Sequence, residues 1–205
     1  FRSRYSCKDM PLFADCIHIE HLKAPRSITS HRTGTEPGPT VWSFFHNQQN
    51  LMRLLASLSQ FTGEGEYVNV AGEAAEYMFN NYWYEESGLL HWGGHGYVDL
   101  VTGNTYGMKG VVHEIEDVYP YWELLRSVNP ERGEMLMKGI WEANVKDWNA
   151  LHYNRHGDFK KQVDHANTWN RFWDGYKDPD ISSDLSFISV GLDLAYAAYS
   201  LGYQK

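Results

Sequence analysis

The stretch WSFFHNQQNLMRLLASLSQFTGEGEYVNVAGEAAEYMFNNY, residues 42–82, carries the periodicity from which a fold is read. Phe44, Phe45, Gln48, Leu51, Leu54, Leu55 and Leu58 recur at helical spacing until Thr62-Gly63 stops them. A second helix is expected from about Glu66 to Tyr82, with Val70, Ala74, Tyr77 and Met78 on one face. The pattern has a counterpart 70 residues on, where Leu124-Leu125 precede Asn129-Pro130 and a helix through Trp141, Ala143 and Trp148. Two such helical hairpins, each followed by a loop rich in His and Gly, predict an all-α fold of the α/α toroid (barrel) type. A closed ring needs more hairpins than 205 residues hold. The expectation is therefore a single domain, 1–205, that is a partial, open barrel or a fragment.

On the N-terminal side, Pro25, Pro37 and Pro39, with Gly34 and Gly38 among them, make residues 1–40 an irregular arm. One short helix within 11–24 is all that segment suggests. On the C-terminal side, Ser87 to Leu90 reads as a short strand or turn and residues 99–108 as loop. A third helix is expected from Gly110 to Val128 with a kink at Pro120, and a fourth from Glu131 to Trp148. Residues 150–182 read as loop. A last helix, Asp184 to Leu201, has the small and apolar composition of a buried one.

Hydrophobic residues make up 42% of the chain and aromatics 15%, which places it among globular proteins. The net charge of -8 excludes a general nucleic-acid binder, which would show a basic stripe. Any acidic ligand must then be held by local cations rather than by the overall field. No apolar run reaches the ~18 residues of a transmembrane helix. Cys7 and Cys16 either bridge or stay as buried thiols. Cys16, His18 and His21 lie close in sequence but lack a fourth ligand at a zinc-like spacing.

Chemistry-bearing residues concentrate in three stretches spanning 67 residues: His91-Trp-Gly-Gly-His-Gly-Tyr-Val-Asp99, His113-Glu-Ile-Glu-Asp117 and Asn154-Arg-His-Gly157. On a continuous third helix, Val111, Glu114, Val118, Tyr121, Leu125 and Val128 share one face, while Glu116 points away. A carboxylate on a core-facing stripe must be paired, hydrogen-bonded or bound to metal, so Glu114 is the informative acid. The plain alternative is a structural pair with an arginine. His91, His95 and His156 add imidazoles, and together with Glu114 they make a mixed imidazole–carboxylate metal site conceivable. Arg155, beside His156, is a natural anion clamp. Lys160, Lys161 and Arg171 lie nearby in sequence; for the two lysines a solvated basic loop is the favoured reading.

His95, Glu114 and Arg155-His156 resemble the site of the polysaccharide lyase family 2 pectate lyases. The intervals, 19 residues and then 42, look close to that family's. Trp92-Gly-Gly-His95, His113 to Tyr121 and Asn154 to Gly157 also look like stretches of bacterial pectate-lyase-like proteins. The resemblance covers about residues 42 to 203, and it implies an α/α barrel in a protein shorter than a typical member. It further implies that His95, Glu114 and His156 hold a divalent transition metal (Mn-like) and that Arg155 is the base. The implied partner is an acidic polysaccharide or oligosaccharide, cleaved by β-elimination in an extracellular or periplasmic setting. Trp92, Tyr97, His91 and Arg171 are candidates for substrate binding, the aromatics by stacking on sugar rings and Arg171 on a second uronate. Two other classes fit the residues. A glycoside hydrolase would pair Glu114 with Asp99 or Asp117. A non-catalytic carbohydrate-binding or assembly protein would keep the aromatics without needing Arg155.

Overall fold

The computed structural model describes residues 10–24, 40–92, 96–106, 118–147, 152–153, 192, 195–196 and 199. Their elements run β1 (Trp42–Ser43), α1 (Gln49–Thr62), α2 (Glu66–Asn81), β2 (Trp83–Tyr84), β3 (Leu89–Leu90), β4 (Tyr97–Asp99), β5 (Thr105–Tyr106), α3 (Trp122–Val128), α4 (Pro130–Asn144), β6 (Val145–Asp147) and β7 (His152–Tyr153). The two helical hairpins, α1–α2 and α3–α4, are present, and α2 packs against α3 to join them. Short antiparallel strands lie before, between and after them, in the order β1-β4-β5, β2-β3 and β6-β7. The all-α toroid expected from the sequence is thereby corrected: the fold is mixed, with helices and antiparallel sheets. Strands of two or three residues are too short to show a period of two, so no periodicity reveals them.

The helix boundaries follow from local chemistry. Gly63 ends α1 in the left-handed conformation at φ 78°, donating to Ser59 O, which suits a residue without Cβ. Pro120 lies outside a helix, two residues before α3. Its ring disfavours helical geometry at Tyr119, residues 118–121 are not helical, and α3 starts only at Trp122. The helical phase used to aim Glu114 at the core therefore does not carry back across Pro120. The helix expected to run to Trp148 ends at Asn144, and Val145–Asp147 instead pairs with His152–Tyr153. The C-terminal helix expected over 184–201 lies largely outside the described residues. Its described positions 192, 195, 196 and 199 are helical and exposed.

One core joins these elements. Met52 of α1, Ala71, Ala74, Ala75, Met78 and Phe79 of α2, Leu89 and Leu90 of β3, and Leu125, Leu136 and Ile140 of α3 and α4 are all buried in it. The three alanines make α2 narrow enough to be approached closely from more than one side. Full burial of each Leu, Met or Phe contributes about 1.5–3 kcal/mol before entropy is counted. Across α4, Arg132 straps the layers together. It donates to Phe79 O, pairs with Glu85 at 2.6 Å and lies over the Trp83 ring at 5.6 Å. Among the described residues no helix is long and apolar enough to cross a membrane.

Two glycines test this packing in opposite directions. A Cβ at Gly139 would sit 2.6 Å from Ser87 O and 2.7 Å from Gly88 O, backbone that cannot swing aside. At Gly72 the nearest atom, Val128 Cγ2, is 3.8 Å away, an ordinary contact. Gly139→Ala is expected to destabilise the fold by about 1–3 kcal/mol through overpacking. Gly72→Ala should stabilise it by roughly 0.5–1 kcal/mol through helix propensity. Urea denaturation of the two variants checks the pair, and equal midpoints would contradict the close approach of α4 to the β2–β3 turn.

Candidate active site

The first stretch singled out in the sequence begins in the core. His91 is buried, and both ring nitrogens are used: Nε2 lies 3.0 Å from Tyr106 O and Nδ1 lies 3.1 Å from the Tyr84 hydroxyl. A carbonyl only accepts, so Nε2 carries the proton and Nδ1 accepts from Tyr84. Burial holds its pKa below the ordinary histidine value, partly offset by its backbone hydrogen bonds to Tyr106 and Tyr97. A neutral, fully bonded imidazole fits that environment.

Trp92 is 1% exposed, stacked on the His46 ring at 4.9 Å and against Phe45 at 6.2 Å. Tyr97 is likewise buried, between Trp42, Phe44 and Tyr106. The structure shows both rings packed against protein side chains. His91 is similarly occupied.

Asp99 is 1% exposed and ties β1 to the turn after β4. Its carboxylate accepts from Val41 N at 2.9 Å, Val101 N at 3.1 Å, Thr102 N at 3.2 Å and Thr102 Oγ1 at 2.7 Å. Gly103 completes that turn at φ 76°. A carboxylate carrying four donors is a turn former, which removes Asp99 as the partner of Glu114 in a hydrolase.

His95, Glu114, Asp117, Arg155, His156 and Arg171 lie outside the described residues. What the structure does place is the frame bordering their stretches. Tyr106, the last described residue before the Glu114 stretch, is held by His91. Val118, the first after it, has its carbonyl 2.8 Å from His46 Nε2. Tyr121 N donates to Gln49 Oε1 at 2.9 Å, and Arg53 donates to Tyr119 O at 2.6 Å and to Pro120 O at 2.7 Å. His46, Gln49 and Arg53, spaced three and then four residues apart, thus line one side of the start of α1 and grip residues 118–121. Trp92, which enters the Gly93-Gly94-His95 stretch, rests on the same His46. At the other end, β7 stops at Tyr153, immediately before Asn154-Arg155-His156.

These anchors were missed in the sequence. The available signal was the polar pair Gln48-Gln49 inside an otherwise apolar helical pattern. Both are buried, and Gln48 donates to Phe13 O at 2.8 Å. The inward face of α1 is Gln49, Met52 and Ala56, whereas Leu54 is 55% exposed and Phe61 89% exposed.

The family model described as periplasmic pectate lyase matches residues 10–205, and the chain belongs to that family. The family's description agrees with the extracellular or periplasmic setting expected above. Among individual relatives, a pectate disaccharide-lyase of Dickeya dadantii (strain 3937) is 36% identical over 178 residues, covering 78% of this chain and 33% of that protein. The chain thus spans about a third of the length of that relative.

Two outcomes test the frame. Gln49→Leu keeps the bulk but removes the acceptor of Tyr121 N–H, while Phe45 C=O loses one of two donors and keeps Gln48 N–H at 3.3 Å. The expected loss is about 1–3 kcal/mol for the orphaned N–H, read as a fall in the denaturation midpoint. His91 sets a pH dependence. Its folded pKa is lowered, so below the ordinary value of ~6.5 the unfolded chain binds more protons than the folded one. Stability is therefore full above that value and falls as pH drops through it. In His91→Gln this part of the slope should disappear from melting temperatures recorded between about pH 7 and pH 5.

Proposed function

We propose that this chain carries the catalytic residues of a polysaccharide lyase that cleaves pectate, or a related uronic-acid polymer, by β-elimination. The observation that carries the proposal is the family match over residues 10–205, a span that includes His95, Glu114, Arg155 and His156. The relative named a pectate disaccharide-lyase supports the same substrate class.

The donor set suits a divalent transition metal, because two imidazoles and a carboxylate are typical borderline ligands. His95, Glu114 and His156 are the residues that would hold it. When bound, such a cation supplies positive charge that offsets the uronate carboxylate and so makes the neighbouring C–H more acidic. Three protein ligands leave room for substrate oxygens.

Arg155 is assigned the proton α to the carboxylate. The C–H electron pair becomes the new double bond, the bond to the 4-oxygen breaks, and that oxygen leaves with a proton taken from solvent water. A guanidinium ordinarily stays charged. A cation held beside it would favour the neutral form that a base requires. Arg171 is assigned a second uronate, where its planar fork matches a carboxylate. The acidic chain, with net charge -8, repels a polyanion, so these local cations must capture it.

On polygalacturonate, the ultraviolet absorbance of the unsaturated product should rise with time and stop when a chelator is added. Arg155→Ala should abolish that rise with metal content and melting temperature near normal, whereas His156→Ala should lose metal first. Saturated reducing ends without the absorbance, or near-normal turnover in Arg155→Ala, would overturn the proposal.

A further inference from the structure

The arm before β1 contains a tight reversal. His18 N donates to Lys23 O at 2.9 Å and Leu22 N donates to His18 O at 2.7 Å, closing a loop over residues 18–23. Leu22 sits at φ 48°, in the left-handed region that a leucine rarely occupies, and it is the one non-glycine residue there among those described. The reversal lays the imidazoles of His18 and His21 face to face, with ring centroids 4.5 Å apart and planes 13° from parallel. It also turns Glu20 to the same side. The ligand atoms of His18, Glu20 and His21 all lie within 4.8 Å of one another.

We infer that His18, Glu20 and His21 form a surface site for a borderline divalent cation of the zinc, nickel or copper type, separate from the proposed catalytic residues. Two imidazoles and one carboxylate are the ligand chemistry of such ions, whereas calcium and magnesium favour all-oxygen shells. Glu20 N donates to His18 Nδ1 at 3.3 Å, which leaves Nε2 of that ring to ligate. All three side chains are exposed, so small rotations bring the donor atoms to the ~2.0–2.2 Å that these metals require. Three ligands leave the remaining positions to water. The set differs from the Cys16, His18 and His21 grouping suggested by sequence proximity. Glu20 takes the place of Cys16, whose exposed free thiol is outside the cluster. The bound ion would clip the 18–23 reversal shut and offset the strain held at Leu22.

The test is titration of the 205-residue chain with zinc chloride alone by calorimetry, repeated with copper(II) followed by electron paramagnetic resonance. The parent should show a binding event that His18→Ala/His21→Ala abolishes, and that Glu20→Gln weakens by about tenfold or more through the loss of one of three ligands. The same event should survive in His95→Ala/His156→Ala, which separates it from any metal at the proposed catalytic residues. The copper spectrum should show coupling to two nitrogens, lost in the double variant. Glu20→Gln, an exposed and nearly isosteric change, keeps the test valid should the double variant misfold. Identical isotherms for the parent, Glu20→Gln and His18→Ala/His21→Ala would overturn the inference. So would an event lost only in His95→Ala/His156→Ala.

Discussion

A glutamine with no exposed surface must find hydrogen bonds, and Gln49 finds them in two separate parts of the chain. Its amide donates to Phe45 O at 3.0 Å, and its carbonyl accepts from Tyr121 N at 2.9 Å. An orphaned buried amide costs about 1–3 kcal/mol per group, so the position of α1 relative to residues 118–121 is tightly specified. Much else follows from that. The face of α1 that turns inward is the one bearing Gln49, Met52 and Ala56, and the turn before the helix and its second turn bring His46 and Arg53 to the same backbone segment. Leu54 and Phe61 are left on the outside because a helix cannot present both faces at once.

The consequence for function is one of placement. The site proposed above, assembled from distant stretches, would need its segments held within about 0.5 Å of a productive geometry, and rigid surroundings supply that better than loops do. Here the surroundings are polar anchors set in an apolar core. His91 holds the chain before the Glu114 stretch, and His46, Gln49 and Arg53 hold it afterwards. Trp92 packs on His46 where the His95 stretch departs. These anchors border, in sequence, the stretches that carry the proposed site residues. Asp99 and His91, which share the composition of reactive groups, have every donor or acceptor committed to the fold.

The helices were legible from residues 42–82 and their counterpart 70 residues on, because a period of 3.6 over fourteen or more residues is a strong signal. The first hairpin, α1–α2, stands where that period puts it, whereas in the second the described helices are only Trp122–Val128 and Pro130–Asn144. The class drawn from them, an all-α toroid, was wrong, since β1 to β7 are each two or three residues long and leave no periodic trace. A kink at Pro120 within one long helix is what the sequence suggests. Residues 118–121 are not helical and are bonded to α1 side chains, so Pro120 lies before the start of α3.

The sequence by itself determined the family, because His95, Glu114 and Arg155-His156 recur at recognisable intervals, and the match over residues 10–205 agrees. It also determined the helical hairpins, whose signal is local and repeated. Only the tertiary structure decided which aromatic and ionisable residues are committed to the interior. Trp92, Tyr97, His91 and Asp99 look like site residues in a line of text. Their burial depends on His46, Phe45, Thr102 and Tyr84, partners brought to them by chain reversal and core packing. Periodicity reports which side of an element is apolar. It does not report which buried amide or carboxylate an opposing backbone group will meet, because that is settled by contacts between residues dozens of positions apart.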